Sequence, residues 1–439
     1  MSGVTSPGGS AEPTTEPTAE LTAELTAEWE AAALAHLIPD EIVAVTEDLI
    51  RGRGENPGET EADSVRRLAD HCTRIGARVS LQEVAPGRAN LRAELGPETG
   101  EPIVFLGHSD VVPAGDGWHG DPFEPRREGG AIIGRGSTDM KGGLAAVLAA
   151  MRAVNLVRPD LRMELLCTVD EEDLATGVIA YTRAAPKRPL RALIVAEPTD
   201  LRAVIGCRGA TNLTLTITGA SAHAGRPEDG ASAILAAGQA IEAVRDAHAA
   251  AAPTGDALLG APSWNVGTIA GGSATSMVAR ECVLSLDRRT LPGERADEIL
   301  SGLLADVTAR VRSSGIAGAE RVVIDGRVDM VMPGFRTDPA AELPSIAAGV
   351  LAELGLPDEL SGWTAACEGG FLAEHHDVPT IILGPGDLNE QAHQPEERVL
   401  VADLVTAAQA YVMIMLRLGE RPATGHTSFP TPRPANSAP

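Results

Sequence analysis

Through the middle of the chain, short apolar runs alternate with longer amphipathic ones. Pro102–Leu106, Met163–Val169, Ala192–Val195 and Thr380–Leu383 are mostly apolar and of buried-strand length, whereas Gly142–Asn155 and Leu343–Leu354 read as helices. Parallel neighbours need a crossover, usually a helix, so this alternation predicts an α/β layer with a largely parallel sheet. From about Thr211 the pattern changes. Thr211–Thr218 alternates like a half-buried strand, Gly230–Ala249 reads as a helix, and Ser263–Ile269 and Glu281–Arg288 read as strands. Arg295–Arg312 (helix) and Arg321–Val331 (strand) complete a compact α+β unit. The pattern predicts a domain inserted within the first one, which resumes near Pro333.

The two ends read differently. Glu12, Glu16, Glu20, Glu24 and Glu28 recur at every fourth position, which stacks like charges on one helix face, and Pro13 and Pro17 break the early part. Residues 1–30 are therefore expected to be a disordered acidic tail. Residues 421–439 hold five prolines among Ser, Thr, Ala and Asn, and are expected to be a second tail. Between them, residues 31–210 and 333–420 form the expected main domain and 211–332 the insertion.

Composition narrows the partners. The 439 residues are 44% hydrophobic, ample for two cores, but only 3% aromatic, so platforms for stacking bases are scarce. A formal net charge of −25 would repel phosphate backbones and anionic lipid, so neither nucleic acid nor a membrane is an expected partner. Cys72, Cys167, Cys207, Cys282 and Cys367 are odd in number, dispersed and outside any CxxC pair, which fits a reducing cytoplasm rather than a disulfide framework or a thiolate zinc site. No export signal stands in residues 1–30, and no uncharged apolar stretch of about 18 residues is evident, so a cytoplasmic protein is expected.

Candidate chemistry gathers just past the predicted strands, where open α/β sheets collect ligands. His108 and Asp110 follow Ile103–Gly107, a spacing that lets the carboxylate steady the imidazole while its other nitrogen faces a metal. Gly134–Gly143 is a glycine-rich loop opening a helix. Gly142 follows Lys141 where a phosphate-binding loop needs Ser or Thr, so Asp139 reads as a helix cap or a metal-bridging carboxylate instead. Asp170, Glu171, Glu172 and Asp173 follow the next apolar strand, Glu197 ends another, and His393 lies in a late loop. Two imidazoles and several carboxylates make a mixed N/O donor set suited to zinc or cobalt.

The ordered stretches GHSDVVPAGDGWHGDPFEP, GRGSTDMKGG, TVDEED, AEPT, GASAHAGRPEDGASA, NVGTIAGG, LDRRTLPG and GPGDLNEQAHQPEE resemble the dinuclear zinc aminoacylase and carboxypeptidase family. The resemblance runs from about Glu30 to Leu418 and points particularly to the acetylornithine deacetylase and succinyl-diaminopimelate desuccinylase branch. It implies a zinc exopeptidase-like α/β fold, with a mixed, mostly parallel sheet flanked by helices and an inserted ferredoxin-like lid and dimerisation domain. It also implies two divalent ions, zinc or cobalt, with His108 and Glu197 on one, Glu172 and His393 on the other, and Asp139 bridging.

By the same resemblance Asp110 orients His108, Glu171 is the general acid and base, and a cis peptide follows Asp139. His223 stabilises the oxyanion of a neighbouring subunit's substrate. Arg289 holds a substrate carboxylate, with Arg288 competing because strand alternation lets only one of them face the cleft. The implied activity is hydrolysis of an N-acyl amino acid by a homodimer. A carboxypeptidase or dipeptidase acting on a short peptide is the alternative, and an inactive binding protein the rival outside enzymes.

Overall fold

The computed structural model describes residues 19–419. Among them, a nine-stranded sheet runs in the order Arg78–Ala85, Arg88–Leu95, Met163–Thr168, Ile103–His108, Ala192–Val195, Thr380–Ile382, Val204–Cys207 and Phe335–Arg336, with Ser361–Trp363 also pairing to Val204–Cys207. Pairing is parallel through the centre (Met163–Thr168, Ile103–His108, Ala192–Val195, Thr380–Ile382) and antiparallel towards the margins, except that Ser361–Trp363 runs parallel to Val204–Cys207. The central strands are apolar almost throughout because both faces are covered, and every residue of Ile103–His108 and Met163–Thr168 is buried.

Alternation along these strands builds two cores. Phe105, Leu165 and Ile194 face the helices Gly142–Val157, Glu342–Glu353 and Val401–Leu418, where Tyr411 meets Phe105 edge-on at 5.1 Å. Val104, Leu106, Leu166 and Val195 face Thr176–Ala184 and Gly369–His376. The side chains of His108 and Thr168 continue this second set at the strand ends, side by side in register. Two helices, Ser137–Val157 and Val401–Leu418, are long and apolar enough to cross a membrane, and both are largely buried in the first core.

The insertion is a separate four-stranded antiparallel sheet, ordered Ser263–Gly271, Glu281–Thr290, Gly209–Thr218 and Val323–Met332. With the helices Ala233–Ala251 and Ala296–Ser313 it has the β-α-β-β-α-β order of a ferredoxin-like unit. Its own core joins Leu213, Leu215, Ile217, Leu284 and Leu286 to Ala236, Ala240, Val244 and Val307.

The acidic tail is shorter than the sequence suggested. Ala19–Leu34 is a helix, not disordered chain. Like-charge spacing costs only tenths of a kcal/mol, and this is offset by contacts the local pattern cannot show. Trp29 packs on the main core beneath the Arg158 guanidinium, 4.2 Å from its ring, and Glu30 pairs with Arg417 at 2.7 Å. Residues 1–18 of that tail, and the expected tail at 421–439, lie outside the described residues.

Candidate metal centre and active site

The parallel crossover from Ile103–His108 through Gly142–Val157 to Met163–Thr168 brings the ends of neighbouring strands together, with Ala192–Val195 on the other side. His108, Asp170–Glu172 and Glu197 converge there. The glycine-rich loop arrives from the side. Gly136 turns it with φ +86°, where a side chain would be strained and a Cβ would meet Val111 Cγ1 at 2.7 Å. The loop cradles a carboxylate rather than a phosphate: Gly136, Thr138 and Asp139 donate their amides to Glu397 at 2.9, 2.8 and 3.0 Å. The peptide between Asp139 and Met140 is cis, as is Asn56–Pro57.

Asp139 stands between two imidazole–carboxylate pairs. Its Oδ1 lies 3.1 Å from His108 Nε2, which is also 3.4 Å from Glu197 Oε1. Its Oδ2 lies 3.3 Å from His393 Nε2, which is 3.2 Å from Glu172 Oε2. Donor atoms of His108, Asp139 and Glu172 all lie within 4.8 Å of one another. Glu172 Oε1 is buried without a hydrogen-bond partner among the described residues. One carboxylate shared by two such pairs, with an orphan acceptor beside it, fits two divalent cations.

The electrostatics point the same way. Burial and the neighbouring Asp139 push Glu197 up to about 7, and burial with Asp139 also raises Glu172. Hydrogen bonds to Asp139 and Glu172 raise His393 to about 10. Burial alone would lower His108, but Glu197 and the bonds to Asp110 and Asp139 hold it well above its ordinary value. Burial raises Glu171 well above the usual carboxylate range, and Glu197, Glu172 and Glu368 add to it against the pull of His108. Protons here do what cations would otherwise do, which is the signature of negative charge gathered out of water.

Asp110 has two tasks. His108 Nδ1 lies 3.0 Å from its main-chain oxygen and 3.5 Å from Oδ1, so the backbone makes the closer contact to the ring. Its carboxylate accepts the amides of Glu171 (3.2 Å) and Glu172 (3.0 Å), and Asn56 Nδ2 at 2.9 Å. That fixes the turn carrying both glutamates. Beneath it Asp170, at φ +64°, accepts from Asn56 and Arg88, and Arg88 also pairs with buried Glu61. The sequence reading missed Asn56, Arg88, Asp170 and Glu61 as a group. Only the position of Asp170 next to Glu171 hinted at any of them.

Other candidates stand apart. His223 is exposed on the inserted domain, and no hydrogen bond or ion pair links it to the cluster. Gly225 donates its amide to His223 Nδ1 at 3.0 Å, so in the neutral ring the proton sits on the outward Nε2. Arg288 and Arg289 are separated by strand alternation. Arg288 is tucked on the core side, bonded to Glu294 at 2.6 Å and lying over Trp264, while Arg289 is 40% exposed on the open face with Asp287 at 3.0 Å. His375 and His376 bond to the main-chain oxygens of Ala185 and Arg188, a structural tie at a helix end.

The profile of Peptidase family M20/M25/M40 matches residues 104–417. Among solved structures, aminopeptidase PepT from Bacillus cereus superposes with a TM-score of 0.70 at 22% identity, covering 88% of this chain and 100% of its own. A tripeptidase from Staphylococcus aureus gives 0.69 at 22% identity, covering 87% and 99%. An M20 family metallo-carboxypeptidase from Sulfolobus solfataricus gives 0.69 at 16% identity, covering 86% and 99%. At these identities the likeness is one of fold.

Proposed function

The chain belongs to peptidase family M20/M25/M40, and from that premise we propose that it hydrolyses an amide bond of a small substrate with two divalent ions, zinc or cobalt. The observation that carries this reading is Asp139, each of whose carboxylate oxygens meets a separate imidazole–carboxylate pair. His108 and Glu197 would hold one ion, Glu172 and His393 the other, with Asp139 between them. Bound there, the ions would make a water more acidic, towards neutrality, and polarise the scissile carbonyl.

Glu171, raised well above the usual carboxylate range, takes the water's proton and passes it to the leaving amine. Asp110 holds the Glu171 turn and the His108 ring in place. His223 donates from Nε2 to the developing oxyanion, and Arg289 takes a substrate carboxylate. The first substrate class is an N-acyl amino acid, in the manner of the acetylornithine deacetylase branch. The short-peptide reading gains support from the printed names of the similar structures, which include an aminopeptidase and a tripeptidase. Five buried free cysteines accord with a reducing cytoplasm.

Chelation is expected to abolish hydrolysis across a panel of N-acyl amino acids and dipeptides, and Zn²⁺ or Co²⁺ to restore it with about two ions per chain. Full activity of metal-free protein would overturn the reading.

Two further outcomes follow. Arg289→Ala should lower kcat/KM by about 10- to 150-fold, the worth of a hydrogen bond to a charged group, with metal content unchanged. Masking the substrate carboxylate as an amide should cost the wild type the same factor, and the two losses should not add, because both remove one contact. For His223, the proposed arrangement is a homodimer in which it serves the partner's site. Mixing inactive Glu171→Ala chains with inactive His223→Ala chains should then regain activity, since one hybrid site holds both intact residues. No recovery after demonstrated subunit exchange would place His223 outside the partner's site.

A further inference from the structure

Glu368 opens the helix Gly369–His376, is 2% exposed, and has no part in the roles assigned above. One carboxylate oxygen is held by the Thr168 hydroxyl, while Oε1 is buried and has no partner among the described residues. Thr168 is the in-register neighbour of His108, with both side chains on the same face of the sheet. The charged groups acting on Glu368 include His108, Asp110 and Glu197, and Glu368 acts in turn on Glu171. Its carboxyl therefore lies within electrostatic reach of the candidate site.

Among the described residues no lysine or arginine bonds to it. Lys141, the lysine closest in sequence to the donor set, spends its ammonium on the carbonyls of Leu49 and Arg53. Thr168 Oγ1 also lies 3.1 Å from the Gly107 carbonyl, and a hydroxyl has one proton to give. Given to Glu368, that proton leaves Oε1 as the carboxylate oxygen without a donor among the described residues. Burial pushes the carboxyl up to about 8, and a cation seated at Oε1 would hold it ionised.

We propose that Glu368, anchored by Thr168, is a subsite for a primary ammonium group of the substrate, received at Oε1. A single free oxygen suits an ammonium, a compact point charge. A guanidinium uses a planar fork that wants both oxygens, one of which Thr168 already takes. The ammonium has two chemical sources: the α-amino group of a short peptide, or the side chain of an N-acylated diamino acid. This inference rests on the hydrolase reading above and gives it a substrate class.

The test uses metal-loaded enzyme and two matched pairs, each differing only by the amino group: L-alanyl-L-alanine against N-propionyl-L-alanine, and Nα-acetyl-L-ornithine against Nα-acetyl-L-norvaline. The wild type should prefer the amine-bearing member of one pair by about 10- to 150-fold in kcat/KM, and the pair that shows the preference identifies the source. In Glu368→Gln that ratio should collapse towards one, with metal content and melting temperature as controls. Glu368→Asp, which withdraws the charge by one methylene, is the second variant and should shrink the ratio by less. Hydrolysis without preference for an amine, or a ratio kept intact in a folded variant, overturns the inference alone. Hydrolysis of none of the four by metal-replete wild type overturns the function reading with it.

Discussion

Glu171→Ala is expected to keep both metals and lose about 10²- to 10⁴-fold in kcat, whereas Glu172→Ala is expected to lose metal as well. Adjacent acids in a charge run would ordinarily behave alike. Here their amides are both fixed to the Asp110 carboxylate, so the turn is rigid and the two side chains diverge. Glu172 sends Oε2 to His393 at 3.2 Å, inside the donor set. The Glu171 carboxylate makes no hydrogen bond or ion pair among the described residues, yet burial and three neighbouring glutamates raise its proton affinity. A group that holds a proton readily and is tied to nothing is suited to moving one. Elemental analysis of the two purified variants beside their steady-state kinetics decides the matter. Equal metal content in both would show that the roles are not divided between them.

The parts legible in the sequence were those whose signal is local. The central strands read as unbroken apolar runs because two covered faces leave no polar position, and their ends carried His108, Glu172 and Glu197 in plain view. The inserted domain read well because its strands alternate, with one face on a core and one open. The margin strands Arg78–Ala85 and Arg88–Leu95 were missed, since the outer one buries no residue and its apolar–polar alternation breaks at Gln82–Glu83. The helix Ala19–Leu34 was missed because what holds it, Arg158 and Arg417, lies far along the chain.

The same limit applies at the site. His108, Asp139 and His393 each had a motif, but the residues that hold them do not. Asn56, Glu368 and Glu397 act through contacts spanning roughly 50 to 260 positions, and a residue that orients another leaves no local pattern. The glycine-rich loop shows the cost of reading a motif alone. Its amides do bind an anion, but that anion is a side chain from the far end of the chain.

Glu397→Ala is therefore expected to be among the most destabilising single substitutions in the chain, although Glu397 sits in a loop beside an acid of little consequence. Its carboxylate receives Arg135 Nη1 at 2.7 Å and the loop amides of Gly136, Thr138 and Asp139, with both side chains of the pair almost fully out of water. Removing one partner of a buried ion pair leaves the other charge uncompensated, at a cost of about 3–5 kcal/mol. The bonds left to Arg135 go to the main-chain oxygens of Gln394, Pro113 and Ala114, so the guanidinium would keep hydrogen-bond partners but no anion. The melting temperature should fall by roughly 6–20 °C, at about 2–4 °C per kcal/mol. Metal affinity should fall with it, because the amide of Asp139 loses its acceptor and the shared carboxylate loses its fixed position. Glu397→Gln keeps the shape and one acceptor oxygen, so it should cost less in both measurements. Glu396→Ala is the internal control. That residue pairs with exposed His119 and part-exposed Arg126 where water screens the charges, and its loss should cost far less. If Glu397→Ala unfolds no more easily than Glu396→Ala, the loop is held by something other than this carboxylate, and the position of Asp139 must be explained by its metals alone.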